Sequence, residues 1–236
     1  VSATTSKAVG PEMLALLAKL VTLWGDPPKR ASRRDPMDAS VAVCAGMRAI
    51  THFVSLEPRT DPRIEAEAIA SADTIPLVFI PDDEVSRGMN VGEWDVVNQS
   101  AGGLKVRRIG TTAQSVTVGE VLGIKFMGNT RWTVGVVRWL TILDEGGMEF
   151  GIQYLAPAAR YVAVQPTITS AGTVRPGLLL SESDDFDSPD TLLTGPATYS
   201  DLREFEIDDE GFISRVRATS LIERTGRFDL FHISQS

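Results

Sequence analysis

Two groups of residues in this chain of 236 residues have types and spacings suited to holding a phosphate. The first is the basic run of residues 29–34, where Arg30 and Arg34 form R-x-x-x-R. An arginine guanidinium is a planar fork of donors that can grip a phosphate with two hydrogen bonds and can also stack on a purine. Lys29 and Arg33 add further positive charge. The run therefore predicts a contact with a small, phosphate-bearing ligand.

The second group is Asn98, Ser100 and Gly103, which form N-x-S-x-x-G. The asparagine offers an amide and the serine offers a hydroxyl, so together they can donate and accept hydrogen bonds. A glycine lets the main chain approach a ligand closely or take a positive φ angle. The pattern predicts a polar turn at the end of a strand.

In this order, the two motifs resemble the signature of the PilZ domain family, whose members are β-barrel receptors for the bacterial second messenger cyclic di-GMP. The resemblance covers the first two-thirds of the chain and is specific at residues 29–34 and 92–155. It implies that the basic run precedes the first barrel strand and that the turn joins the next two strands. The ligand would lie on the outer barrel surface. The implied cyclic di-GMP residues are Lys29, Arg30, Arg33, Arg34, Asn98, Ser100 and Gly103.

Two features depart from the family pattern. The separation of Arg34 from Asn98 is longer than usual, which predicts an insertion near residues 55–90. The first position of the turn motif is Asn98 where many members have aspartate. Asparagine can still donate to and accept from a guanine edge.

The elements that must position these residues are predicted to be β-strands separated by glycine and asparagine turns, which favours an all-β fold with an antiparallel barrel. An amphipathic helix is predicted over residues 11–24, because its apolar side chains recur at helical spacing. The predicted strands of the PilZ-like barrel cover residues 41–54 (bent at Gly46), 74–80, 94–97, 104–109, 116–126, 130–143 and 148–155.

The last part of the chain is predicted to be a second small β module, without another copy of either motif. The predicted division is a tail and helix at 1–28, a PilZ-like barrel at 29–165 and the C-terminal module at 166–236. The predicted strands of this module cover residues 178–180, 191–193, 203–207, 212–221 and 228–233.

Composition narrows the classes of protein that fit. The formal net charge of −8 argues against a general nucleic-acid binder, which would be basic. Cys44 is the single cysteine, so no intramolecular disulfide can form, and this favours a reducing cytoplasm. No apolar run approaches the length of a membrane span, and no secretion signal is evident. The chain begins with Val1, which suggests part of a longer protein.

An enzyme is not indicated, and no catalytic residue is predicted. His52 and His232 are the two histidines, and neither has a partner at a metal-binding spacing. The acidic clusters at 82–84 and 182–187 lack the calcium-loop pattern. We therefore predict no metal and no cofactor besides the ligand.

Other prominent side chains are predicted to have structural roles. Arg138 is expected to form an ion pair at the barrel rim. For Arg107 and Arg108, two alternatives remain: one of them faces inward or towards the ligand, or both are surface charges. The tryptophans at 94, 132 and 139 are expected to pack in or against the core.

Three functions remain open at this point. The first is a cytoplasmic cyclic di-GMP receptor that relays binding by ordering the basic linker and repositioning adjacent elements, with a protein partner or a further domain of the same chain. The second is a degenerate PilZ module that acts as a protein-interaction adaptor without nucleotide. The third is a regulator of an attached enzyme. An intact R-x-x-x-R favours the receptor, and the long insertion favours the adaptor.

Overall fold

The computed structural model describes residues 13, 35–57, 91–110, 115–144, 146–167, 174–181 and 190–236. The basic run, the predicted strand at 74–80 and all of the predicted helix at 11–24 except Met13 lie outside these residues. From Asp35 onward, the described residues belong to one compact unit. Its helix is α1, Met47–Ser55. Its strands are β1 Asp35–Ala45, β2 Val91–Ser100, β3 Gly103–Ile109, β4 Val121–Phe126, β5 Thr133–Ile142, β6 Gly147–Ala156, β7 Ala158–Pro166, β8 Arg175–Ser181, β9 Thr191–Thr194, β10 Glu204–Asp209, β11 Phe212–Arg224 and β12 Asp229–Gln235.

The first six strands close into an antiparallel barrel with the neighbour order β1-β2-β3-β6-β5-β4. Alternate residues of β2 are buried, as expected for a strand with one face towards a core. Trp94 and Phe150 meet edge to face at the centre, with ring centroids 4.7 Å apart. The prediction of an all-β fold with an antiparallel barrel is confirmed.

The last six strands close into a second antiparallel barrel, β7-β8-β9-β12-β11-β10. Its neighbour order repeats the first barrel strand for strand. Its core includes Leu192, Phe205 and Phe231. The predicted second β module is therefore a complete barrel. β7 falls within the range predicted for the first barrel, 29–165, but pairs with β8 and β10 of the second.

The prediction that residues 41–54 form one strand is wrong after Ala45. Gly46 has a φ of 90°, a left-handed conformation that suits glycine, and the chain then enters α1. The β-branched residues of this segment favour a strand locally. Tertiary packing overrides that preference, because the helix buries Ile50 and Val54, while Thr51 donates its hydroxyl to the Met47 carbonyl over 2.6 Å.

Helix α1 lies between the two barrels and packs against β1 and β4 of the first and β7 and β8 of the second. One continuous apolar cluster joins Ile50 to Trp132 on one side and to Leu178 on the other. A Cβ atom on Gly123 would stand 2.3 Å from Ile50 Cδ1, so a glycine is needed where the helix docks. Burial in this cluster raises the pKa of the Cys44 thiol to about 12.

Within the described ranges, the structure has no helix with the length and apolar character needed to cross a membrane.

Candidate functional site

The N-x-S-x-x-G residues lie at the turn between β2 and β3. A register shift after Val96 places Asn98 opposite Lys105, Gln99 opposite Leu104 and Ser100 opposite Gly103. Because Leu104 is buried in the core and side chains alternate along a strand, Asn98 and Ser100 belong to the outer face of the barrel. The bulge therefore sets which motif side chains face outward, a known effect of such irregularities.

Asn98 carries an unsatisfied polar atom. Its Oδ1 is buried and has no hydrogen-bond partner among the residues that the structure describes. A buried acceptor without a partner costs about 1–3 kcal/mol, and such groups are uncommon in folded proteins. Ser100 Oγ donates to the Gly103 carbonyl over 3.2 Å, which leaves the hydroxyl oxygen able to accept. The turn thus carries two side-chain oxygens that can still accept a hydrogen bond.

Gly103 lies in a closely packed position. Its φ angle is not positive, and a Cβ atom there would stand 2.0 Å from the Ile152 carbonyl oxygen of β6. The backbone N–H of Tyr154 also donates to the Gly102 carbonyl over 3.0 Å. The glycine is required because the turn packs directly against the neighbouring strand.

The start of β1 stands beside this turn. Asp35 is opposite Gln99 and Pro36 is opposite Asn98. Asp35 follows Arg34 directly in the sequence. Arg34 and the other predicted basic residues, Lys29, Arg30 and Arg33, lie outside the described residues.

A charged cluster that the sequence did not predict occupies the outer face of β3 and β6. Glu149 is only 8% exposed and pairs with Lys105 Nζ at 2.6 Å and with Arg107 Nη2 at 2.7 Å. Burial by itself would raise the pKa of the Glu149 carboxyl, but the hydrogen bonds from the two cations outweigh it and lower the pKa. This contact accounts for Arg107 as a surface ion pair. This cluster could be recognised only from the strand register, which cannot be read from the sequence.

A cavity of about 600 Å³ adjoins the same turn, a volume typical of small-molecule sites. Gln99 Nε2 donates to Tyr154 Oη over 3.1 Å at its wall. Burial, only partly offset by this bond, raises the pKa of Tyr154 to about 12, so the phenol is neutral at physiological pH. The lining residues are Gln99, Ala101, Phe126, Asn129, Thr133, Tyr154, Leu155, Ala156 and Pro157.

The expected rim ion pair of Arg138 is present, and its partner belongs to the second barrel. The two terminal nitrogens of Arg138 contact the two carboxylate oxygens of Glu223 at 2.5 and 2.7 Å. Trp94 and Trp132 are buried as expected. Trp139 lies against the backbone of Gly151.

Two sequence models of known families match the chain. The model described as "Cyclic-di-GMP receptor FimW, middle PilZ domain" matches residues 82–160, and the one described as "FimW C-terminal beta-barrel domain" matches residues 162–236. Together they account for more than half of the chain.

A curated relative is the "Cyclic-di-GMP receptor FimW" of Pseudomonas aeruginosa, which is 24% identical over 264 residues. The match includes 92% of this chain and 43% of the relative, so the chain spans less than half the length of that protein. No solved structure matches. On its two family matches and its paired barrels, the chain belongs to the PilZ domain family, with a FimW-type C-terminal β-barrel attached to its PilZ domain.

Proposed function

We propose that this chain is a receptor for cyclic di-GMP, which it binds through Arg30, Arg34, Asn98, Ser100 and Gly103, assisted by Lys29 and Arg33. The observation that carries the proposal is the pairing of Asp35 with Gln99 and of Pro36 with Asn98. Consecutive Cα atoms are about 3.8 Å apart. Arg34 is therefore bonded to a residue that stands opposite the turn motif, so chain connectivity supports a shared site.

The charges on the outer face support the same assignment. Cyclic di-GMP carries two phosphodiester charges, which require cations in the site. Lys105 and Arg107 are already paired with Glu149. The positive charge for the ligand would then come from the basic run, while the unpartnered Asn98 Oδ1 accepts from a guanine edge.

The relatives support the ligand. The matched family model and the Pseudomonas aeruginosa protein both carry the description of a cyclic di-GMP receptor. We extend that ligand to this chain because its turn motif lies within the matched range, residues 82–160.

The proposed relay is the ordering of the basic linker around the ligand, followed by repositioning of adjacent elements and of a protein partner or further domain. The proposed location is the cytoplasm, which is compatible with Cys44 as a free thiol. Because the linker precedes β1 directly, any change in the linker reaches the barrel through the first residues of that strand.

A protein-interaction adaptor is the second candidate, favoured by two exposed apolar side chains. Phe212 is 82% exposed and Ile213 is 71% exposed at the start of β11. Because side chains alternate along a strand, these two lie on opposite faces of β11, and each could contact a partner.

Isothermal titration with cyclic di-GMP separates the two functions. We expect the wild-type chain to bind and Arg30→Ala or Arg34→Ala to lose about 1.5–3 kcal/mol of binding free energy, the scale of a hydrogen bond to a charged group. Arg215→Ala is the matched control, because Arg215 forms an exposed ion pair in the second barrel. Unchanged affinity in the Arg30/Arg34 double variant contradicts the site, and no binding by the wild-type chain favours the adaptor.

Amide exchange tests the relay. With ligand, exchange should slow at residues 26–35 and 98–103 and change little at residues 55–73, which belong to the predicted insertion. Protection confined to the second barrel would contradict the relay.

A further inference from the structure

Arg138 is a cation on β5 that lies close to the turn motif. Its Nε donates to Gln153 Oε1 over 2.7 Å, and Gln153 is directly opposite Gly103. Neighbouring strands are roughly 5 Å apart, so β5 is about 10 Å from the strand that begins at Gly103. An arginine side chain can span much of that distance.

In the structure, both terminal nitrogens of Arg138 donate to Glu223 of β11, at 2.5 and 2.7 Å. The side chains of this pair are 36% and 24% exposed. Both groups regain water when they separate, so the free energy that holds them together is small.

Two further cations that the structure describes on this face are much harder to release. Lys105 and Arg107 share Glu149, whose side chain is 11% exposed. Removing either would leave a largely buried carboxylate without full compensation, which is costly. Of these three cations, Arg138 alone has a partner that belongs to the other barrel.

We propose that an anionic ligand at the turn and Glu223 compete for Arg138. Arg138 is then a further ligand-binding residue, and the second barrel sets its availability. Ligand binding breaks the contact between Arg138 and Glu223, and so weakens one link between the barrels. The inference rests on the proposed cyclic di-GMP function and adds a regulator of that site.

A double-mutant cycle with isothermal titration of cyclic di-GMP tests the competition. We expect Glu223→Gln to tighten binding about two- to fivefold, the scale of an exposed ion pair. Arg138→Gln should weaken binding at least about tenfold. In the Arg138→Gln background, Glu223→Gln should have no effect, because Glu223 acts only through Arg138.

Glu204→Gln is the control. It removes the same charge from an exposed pair with Arg217 at 2.7 Å, within the second barrel, and we expect unchanged affinity. A Glu223→Gln effect that persists without Arg138, or that Glu204→Gln reproduces, would show general electrostatics and overturn the competition. Unchanged affinity in both Arg138→Gln and Glu223→Gln would also overturn it while leaving the receptor function intact. If the wild-type chain fails to bind, the proposed function fails and the competition with it.

Discussion

The two barrels share one strand connectivity but differ in the segments that connect the strands. In the first barrel, the basic run precedes the first strand, and N-x-S-x-x-G joins the second to the third. In the second barrel, Pro157 alone precedes β7, and the connection from β8 to β9 is acidic, with Glu182, Asp184, Asp185, Asp187 and Asp190. An anion would be repelled there. On this comparison, the proposed site depends on connecting segments and not on the barrel itself.

The buried acidic residues of the two barrels also have different hydrogen-bond partners. Glu149 on β6 pairs with two long side chains on the outer face. Asp229, on the corresponding strand β12, is 0% exposed and accepts hydrogen bonds from the backbone N–H groups of Thr198 and Tyr199 at 2.9 and 2.8 Å, as well as from Arg224. In the second barrel, Asp229 fixes the loop that contains Thr198 and Tyr199. In the first barrel, Glu149 lies on the outer face that we assign to the ligand.

The largest effect should follow from Asp229→Ala. Two backbone donors and Arg224 would lose their acceptor, and we expect the free energy of unfolding to fall by about 3–5 kcal/mol. Urea denaturation measures it. Glu206→Ala, which removes an exposed pair with Arg215, should cost less than about 1 kcal/mol. Equal losses of unfolding free energy in the two variants would contradict a special structural role for the buried Asp229 relative to the exposed Glu206.

A smaller effect should follow from Gly103→Ala in the first barrel. The added methyl group meets the Ile152 carbonyl, and such overpacking typically costs about 1–3 kcal/mol. The neighbouring Gly102 has nothing within 4 Å of the added Cβ position, so Gly102→Ala should change stability by less than about 0.5 kcal/mol. Thermal or urea unfolding of both variants checks this. Comparable stability of the two would contradict a packing role for the motif glycine.

Acid should weaken the first barrel through Glu149. Its pKa in the folded chain lies below the ordinary 4.5, so its contribution to stability is fully present above pH 4.5 and is lost as the pH falls through the lower, folded value. We expect Glu149→Gln to flatten the decline of the unfolding free energy below pH 4.5. An unaltered decline would assign the acid sensitivity to other carboxyls, such as Glu204, whose pKa is also lowered, chiefly by its hydrogen bond from Arg217.

The smallest effect on stability should come from Asn98→Ala. Its Oδ1 makes no hydrogen bond among the described residues, so its removal takes away an unsatisfied buried acceptor and should not lower the unfolding free energy. Binding of cyclic di-GMP should nevertheless weaken measurably in titration. A clear loss of stability with normal binding would make Asn98 a structural turn residue.

The sequence predicted the strands around the turn well, because their apolar residues alternate and glycine turns separate them. The prediction for residues 47–55 failed, since Ile50, Thr51 and Val54 favour a strand locally while their burial between two barrels requires a helix. The turn motif at residues 98–103 was identified from its residue types and their spacing. The Glu149 cluster was not found, and an ion pair of Arg138 was expected without its partner Glu223, because each contact depends on strand register or on contact between barrels.

The single residue between β6 and β7 limits how the second barrel can respond. Pro157 fixes its own φ angle, and its carbonyl accepts from Thr133 over 3.3 Å. The junction therefore keeps the two barrels close together, and the apolar cluster around α1 joins them. We expect the two barrels to move as one body, because separating them would expose the apolar side chains of that cluster to water.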